Sequence, residues 1–212
     1  MPSRPNTKSH GRARAGLAAI AALCGLALAV PAQAQFSESY KFLEAVRKKE
    51  GDKVNNSLNE PGTQVVNTRD KTTGESALHI VTTRRDLVWM QFLVGKGANV
   101  NIRDARGTTP LVVAVDLGFV EGVDFLLGQG ARVDDPNNTG ETPLINAVHR
   151  RDIGMVRALL KAGGNPDRPD NSGRSARDYA LLDGKGSSMM NELENAPKAA
   201  AGGNKKTYGP SF

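Results

Sequence analysis

Cysteine is all but missing from this chain: its 212 residues hold one, Cys24. A lone thiol closes no intramolecular disulfide and supplies too few ligands for a cysteine-built zinc module, so both of those fold classes are excluded. Histidine is nearly as scarce. His10, His79 and His149 stand far apart, and neither the mature part of the chain nor the whole shows the ligand spacing of a metal centre or a Ser-His-Asp constellation. A glycine-rich phosphate loop ending in Lys and Ser or Thr is absent too, so nucleotide chemistry has no motif. Long apolar runs are limited to residues 15–30, and these 16 residues, interrupted by Gly16 and Gly25, are short for a bilayer span of about 20.

What surrounds that run explains it. Arg4, Lys8, Arg12 and Arg14 precede it, and Pro31 and the small-residue pattern Ala32-Gln33-Ala34 follow. The order is that of a cleavable secretory signal, residues 1–34, with cleavage expected between Ala34 and Gln35. Leu23 stands before Cys24 where a lipoprotein signal needs a small residue, which argues against lipidation. The alternative is retention of residues 15–30 as an amino-terminal membrane tether. Cleavage also changes the charge. Four of the 28 basic residues are lost against none of the 22 acidic ones, so the formal charge falls from +6 to +2. A nearly neutral mature chain has no footprint for nucleic acid, and it contains no thiol nucleophile.

The strongest signal is internal. Gly74, Gly107, Gly140 and Gly173 are each 33 residues apart and open similar phrases: Gly74-Glu75-Ser76-Ala77-Leu78-His79, Gly107-Thr108-Thr109-Pro110-Leu111, Gly140-Glu141-Thr142-Pro143-Leu144 and Gly173-Arg174-Ser175-Ala176-Arg177. Ser76, Thr109, Thr142 and Ser175 suit helix N-caps, and Pro110 and Pro143 then fall at the first helical position, where a missing amide hydrogen is harmless. Leu111, Ala114 and Val115, like Leu144, Ala147 and Val148, share one helical face. A second helix follows, with stripes at Leu87, Met90, Leu93, Val94; Val120, Val123, Leu126, Leu127; and Ile153, Val156, Leu159, Leu160. Gly97, Gly130 and Gly163 end those helices, and extended arms lead to the next turn.

These phrases resemble the ankyrin repeat, a turn followed by two antiparallel helices; Gly97-Ala98-Asn99-Val100-Asn101 is close to the family's usual ending. The resemblance covers about residues 42–193 and implies an all-α solenoid of about five helix-turn-helix units joined by extended arms. Three interior repeats lie between a first cap, with polar Arg47, Lys48, Lys49 and Glu50 between its helices, and a last cap in which Arg177 takes the leucine site. Pro61-Gly62-Thr63-Gln64 and the Lys71-Thr72-Thr73 turn depart from the interior units in length. The expected organisation is therefore signal 1–34, leader 35–41, repeat domain 42–194 and flexible basic tail 195–212.

In the family, partners usually contact the turn tips and the exposed side of the first helices. Transferred residue by residue, that face comprises Thr72, Thr73, Glu75, Thr83 and Arg84; Arg103, Ala105, Arg106, Thr108, Asp116 and Leu117; and Asn138, Thr139, Glu141, His149 and Arg150. Turn residues are also polar simply because they face water. Arg84, Arg103, Arg106 and Arg150 either form a positive ridge or are neutralised by Asp104, Asp116 and Glu141. Trp89 is expected to pack between repeats, and His79 to bond across the turns as the family's histidine does. The functional expectation is a monomeric protein-binding module of the periplasm or cell envelope, without cofactor, metal or catalysis. A membrane-tethered scaffold and an accessory hydrolase using His149 are the alternatives.

Overall fold

The computed structural model describes residues 32–182, 184 and 186–196, with side chains from residue 38 onward. The expected signal up to residue 31 and the tail from 197 lie outside the described residues. The repeats lie in the second of the two units into which the chain divides, which begins at Ser37.

Each Ser or Thr N-cap does what its position predicts. Thr109 and Thr142 accept the amides of Val112 and Ile145, and Ser76 and Ser175 close reciprocal capping boxes with His79 and Asp178; one such cap contributes about 1 kcal/mol. Among the described residues the helices follow one another in five pairs, the last four opening on these caps: α1 (Ala32–Arg47) with α2 (Gly51–Asn59), α3 (Ala77–Thr83) with α4 (Leu87–Gly95), α5 (Pro110–Asp116) with α6 (Val120–Gly128), α7 (Pro143–His149) with α8 (Ile153–Lys161), and α9 (Ala176–Leu181) with α10 (Ser188–Glu194). Among the described residues there is no strand, only an isolated bridge between Arg69 and Ser76. Residues 35–41, expected as a leader, are helical: α1 begins at Ala32, before the expected cleavage point.

First helices pack in one row, α3 on α5 on α7 on α9. Leu78, Leu111 and Leu144 are fully buried in register, as are Met90, Val123 and Val156 in the second helices. Removing one such side chain costs about 2–5 kcal/mol. The stripe's leading position is its weakest: Leu87 and Ile153 are only half-buried, and Val120 is exposed. In the last unit Arg177 replaces the leucine and donates from Nε to Asp167 at 2.7 Å, as a capping unit facing water allows. Trp89 is half-buried, edge-on to Phe92, with the Arg84 guanidinium 5.4 Å over its ring.

Two ladders join neighbouring units. On the turn side, the amides of Ala105, Asn138 and Asn171 donate to the carbonyls of Thr73, Arg106 and Thr139 at 2.9–3.0 Å. A methyl group on Gly107, at φ 76°, would lie 2.9 Å from the Asn138 amide nitrogen, so this glycine permits both the turn and the close approach. On the opposite side Asn67, Asn101 and Asp134 in the arms accept the amides of Asn99, Arg132 and Asn165. The first turn is one residue longer than its successors. Gly74 donates four residues back to Asp70, whereas Gly107 and Gly140 donate three back to Asp104 and Asn137.

Candidate functional site

The turn tips and first helices of three repeats enclose a groove of about 650 Å³, open to solvent. Its walls are held by carboxylate and amide side chains at one register position. Asp104 Oδ1 accepts the amides of Arg106 and Thr108 at 2.8 Å, and Asn137 Oδ1 accepts those of Thr139 and Glu141 at 2.9 and 3.0 Å. Asp and Asn are the residues whose short side chains can bond their own turn backbone in this way. His79 ties the second unit to the third. Its Nδ1 accepts the Ser76 amide at 3.2 Å and its Nε2 donates to the Thr108 carbonyl at 2.9 Å, partners that require the neutral ring protonated at Nε2. Burial holds the His79 pKa below its ordinary value, outweighing the Thr108 carbonyl and the Asp104 and Glu75 charges.

Most of the residues expected on the binding face meet in this groove: Glu75, Thr83, Ala105, Arg106, Thr108, Asp116, Leu117, Asn138, Thr139 and Glu141 all line it. Within it Thr108 is buried, so its contribution is to the wall. Thr72 and Thr73 are exposed in the longer first turn, outside the groove; their amides donate to Asp70 and the Thr73 hydroxyl to Glu75. His149 is exposed beyond the groove's far end, with Nδ1 3.8 Å from Glu141 Oε1 and its ring edge-on to Tyr179 at 4.4 Å. The Thr139 hydroxyl is engaged with Asn137 Oδ1 at 2.6 Å and Glu141 Oε2 at 2.9 Å.

The arginines divide, and no continuous basic ridge forms. Arg84 reaches away from the face to the Val46 carbonyl at 2.8 Å and to Asp86, joining the first two units. Arg103 donates to the Pro136 carbonyl at 2.6 Å and lies 3.5 Å from Asp135. Arg106 is paired with the buried Asp104 at 3.4 Å. Arg150, exposed at the end of α7, acts on Asp116 through its charge. Partial desolvation raises the Asp116 pKa and Glu141 raises it further, against the Asn146 amide and the Arg150 and Arg106 charges.

Asn137, Val113 and Asn146 also line the groove and were not among the expected residues. Asn146 donates to Asp116 at 2.9 Å from the next first helix. Its signal was present in the register, since it replaces the apolar Ile80 and Val113 of the preceding units.

Helix pairs stacked at one period, with turn tips joined edge to edge, define a helical repeat solenoid. Two family models match it: "Ankyrin repeats (3 copies)" over residues 42–137 and "Ankyrin repeats (many copies)" over residues 126–180. Together they cover well over half of the chain, which belongs to the ankyrin-repeat family, a family of protein-interaction modules that are typically non-enzymatic.

Proposed function

We propose that the protein recognises a folded protein partner through the groove along α3, α5 and α7, non-covalently and as a monomer, and that it does so without catalysing a reaction. The observation that carries this reading is the groove's preorganisation. Asp104, Asn137 and His79 hold its walls through bonds inside the protein, while Thr83, Asn138 and Glu141 present their remaining edges to solvent. A surface already fixed in shape loses little conformational entropy on binding.

The protein acts in the periplasm or cell envelope after losing residues 1–34. What supports this is the order of basic stretch, apolar run and Ala32-Gln33-Ala34 in the sequence. Among the described residues no helix is long and apolar enough to cross a membrane. Intact mass of the protein isolated from its own cells tests processing: a chain starting at Gln35 supports export, and one retaining residues 15–30 favours a tether.

Photo-crosslinking tests the face. A benzophenone side chain at Thr83, exposed in the groove, is expected to capture a discrete partner, and one at Asp124, exposed on α6, is not. Capture from Asp124 alone would overturn the assignment.

A further inference from the structure

The groove's charge describes its occupant. Glu75, Asp104, Asp116 and Glu141 line it, and Arg106 is the one cation among the described lining residues. Arg106 is paired with Asp104, which leaves Glu75, Asp116 and Glu141 without a lysine or arginine ion pair among those lining residues. Even with Arg150 counted at the rim, acids outnumber cations by two.

Hydrogen bonds fix where these carboxylates point. Asp116 Oδ1 accepts from Asn146 at 2.9 Å, and Glu141 Oε2 accepts from Asn137 at 3.0 Å and from Thr139 at 2.9 Å. Each carboxylate has a second oxygen: Asp116 Oδ2, and Glu141 Oε1, which lies 3.8 Å from His149 Nδ1. A side chain that is charged at its tip and apolar along its stem fits this lining, because Val113 and Leu117 lie in the same groove as the carboxylates. Partial desolvation has already raised Asp116's pKa, so an incoming cation restores a favourable environment to the ionised form.

We propose that the groove accepts an extended cationic segment of the partner, with a lysine or arginine side chain seated beside Asp116 and Glu141 and its aliphatic stem against Val113 and Leu117. This rests on the groove being the recognition face, and it names the chemistry recognised there. An acidic segment or a phosphate would meet the same carboxylates as repulsion, and the one arginine among the described lining residues, Arg106, is already paired with Asp104.

The test uses the purified protein and two fluorescent ten-residue peptides, one alternating Lys and Ser and the other Glu and Ser. The basic peptide is expected to bind at least about tenfold more tightly at low salt and to weaken as ionic strength rises. Asp116→Asn with Glu141→Gln should reduce that affinity by about tenfold, while Glu121→Gln with Asp124→Asn, which removes equal charge from α6, should change it by less than about twofold. Equal loss in both double variants, or no preference for the basic peptide, overturns the proposal.

Replacing Lys198, Lys205 and Lys206 together by Gln separates the remaining source of positive charge. Unchanged affinity supports a partner's segment, whereas a severalfold gain shows the chain's own end competing and overturns the partner assignment. Crosslinks from Thr83 to an acidic or apolar segment of a captured protein would sink the cationic chemistry while leaving the recognition face intact.

Discussion

Replacing His79 by Leu tests how the groove is held together. The ring is buried, and it satisfies two buried backbone groups, the Ser76 amide and the Thr108 carbonyl. Leucine fills similar space but bonds neither, and each group left unsatisfied costs about 1–3 kcal/mol, so the expected loss is about 2–6 kcal/mol. For a domain of this size each kcal/mol lowers Tm by about 2–4 °C, giving a drop on the order of 10 °C. Because the two groups belong to adjacent units, the damage falls on their interface, and urea unfolding should lose cooperativity as the units decouple. A pH signature accompanies it. The folded pKa of His79 lies below the ordinary 6.5, so the unfolded chain binds the extra proton first. Its contribution to stability is complete above pH 6.5 and declines as pH falls below that value. Urea melts followed by far-UV circular dichroism at pH 8, 6.5 and 5.5 should therefore show a larger acid loss in the parent protein than in His79→Leu. A variant within about 0.5 kcal/mol of the parent, or identical pH slopes, would refute the reasoning.

Gly107→Ala and Gly118→Ala share a positive φ but not a neighbour. The first should cost more than about 2 kcal/mol, because its methyl group meets the Asn138 backbone, and the second about 1 kcal/mol, because its nearest neighbour is a side-chain oxygen at 3.8 Å; thermal melts compare them. Asp152→Ala removes the cap that accepts the Met155 amide and should cost about 1 kcal/mol by the same measurement. Asp70 has its pKa lowered to about 2 by the Thr73 and Thr72 amides and Arg47. Its stabilisation is present above the ordinary 3.8 and disappears as pH falls toward 2, so Asp70→Asn should flatten that part of an acid-unfolding curve.

The 33-residue register made the last four helix pairs legible, because Gly74, Gly107, Gly140 and Gly173 and the Ser or Thr caps after them are local requirements of a turn and a helix start; the first pair stood outside that register. Caps of the second helices were harder to read. Asp86 and Asp152 cap α4 and α8, but Phe119 stands at the same position of α6 and folds its ring over Gly122, where any Cβ would collide with it. That compensation between two positions is invisible to a pattern read one residue at a time. The groove was legible as a set of positions but not as a charge distribution. Composition cannot tell that Arg84 and Arg103 turn to backbone carbonyls of neighbouring units while Asp116 takes a side-chain amide, Asn146, as its hydrogen-bond partner. Long side chains choose partners in three dimensions, and short turn residues choose them in sequence.

Hydrogen exchange measured on the protein alone and with its captured partner tests the recognition face most directly. The expected result is new protection confined to the turns around Asp104 and Asn137 and to the ends of α3, α5 and α7. Protection gathered instead on α4, α6 and α8, with the turns unchanged, would contradict it.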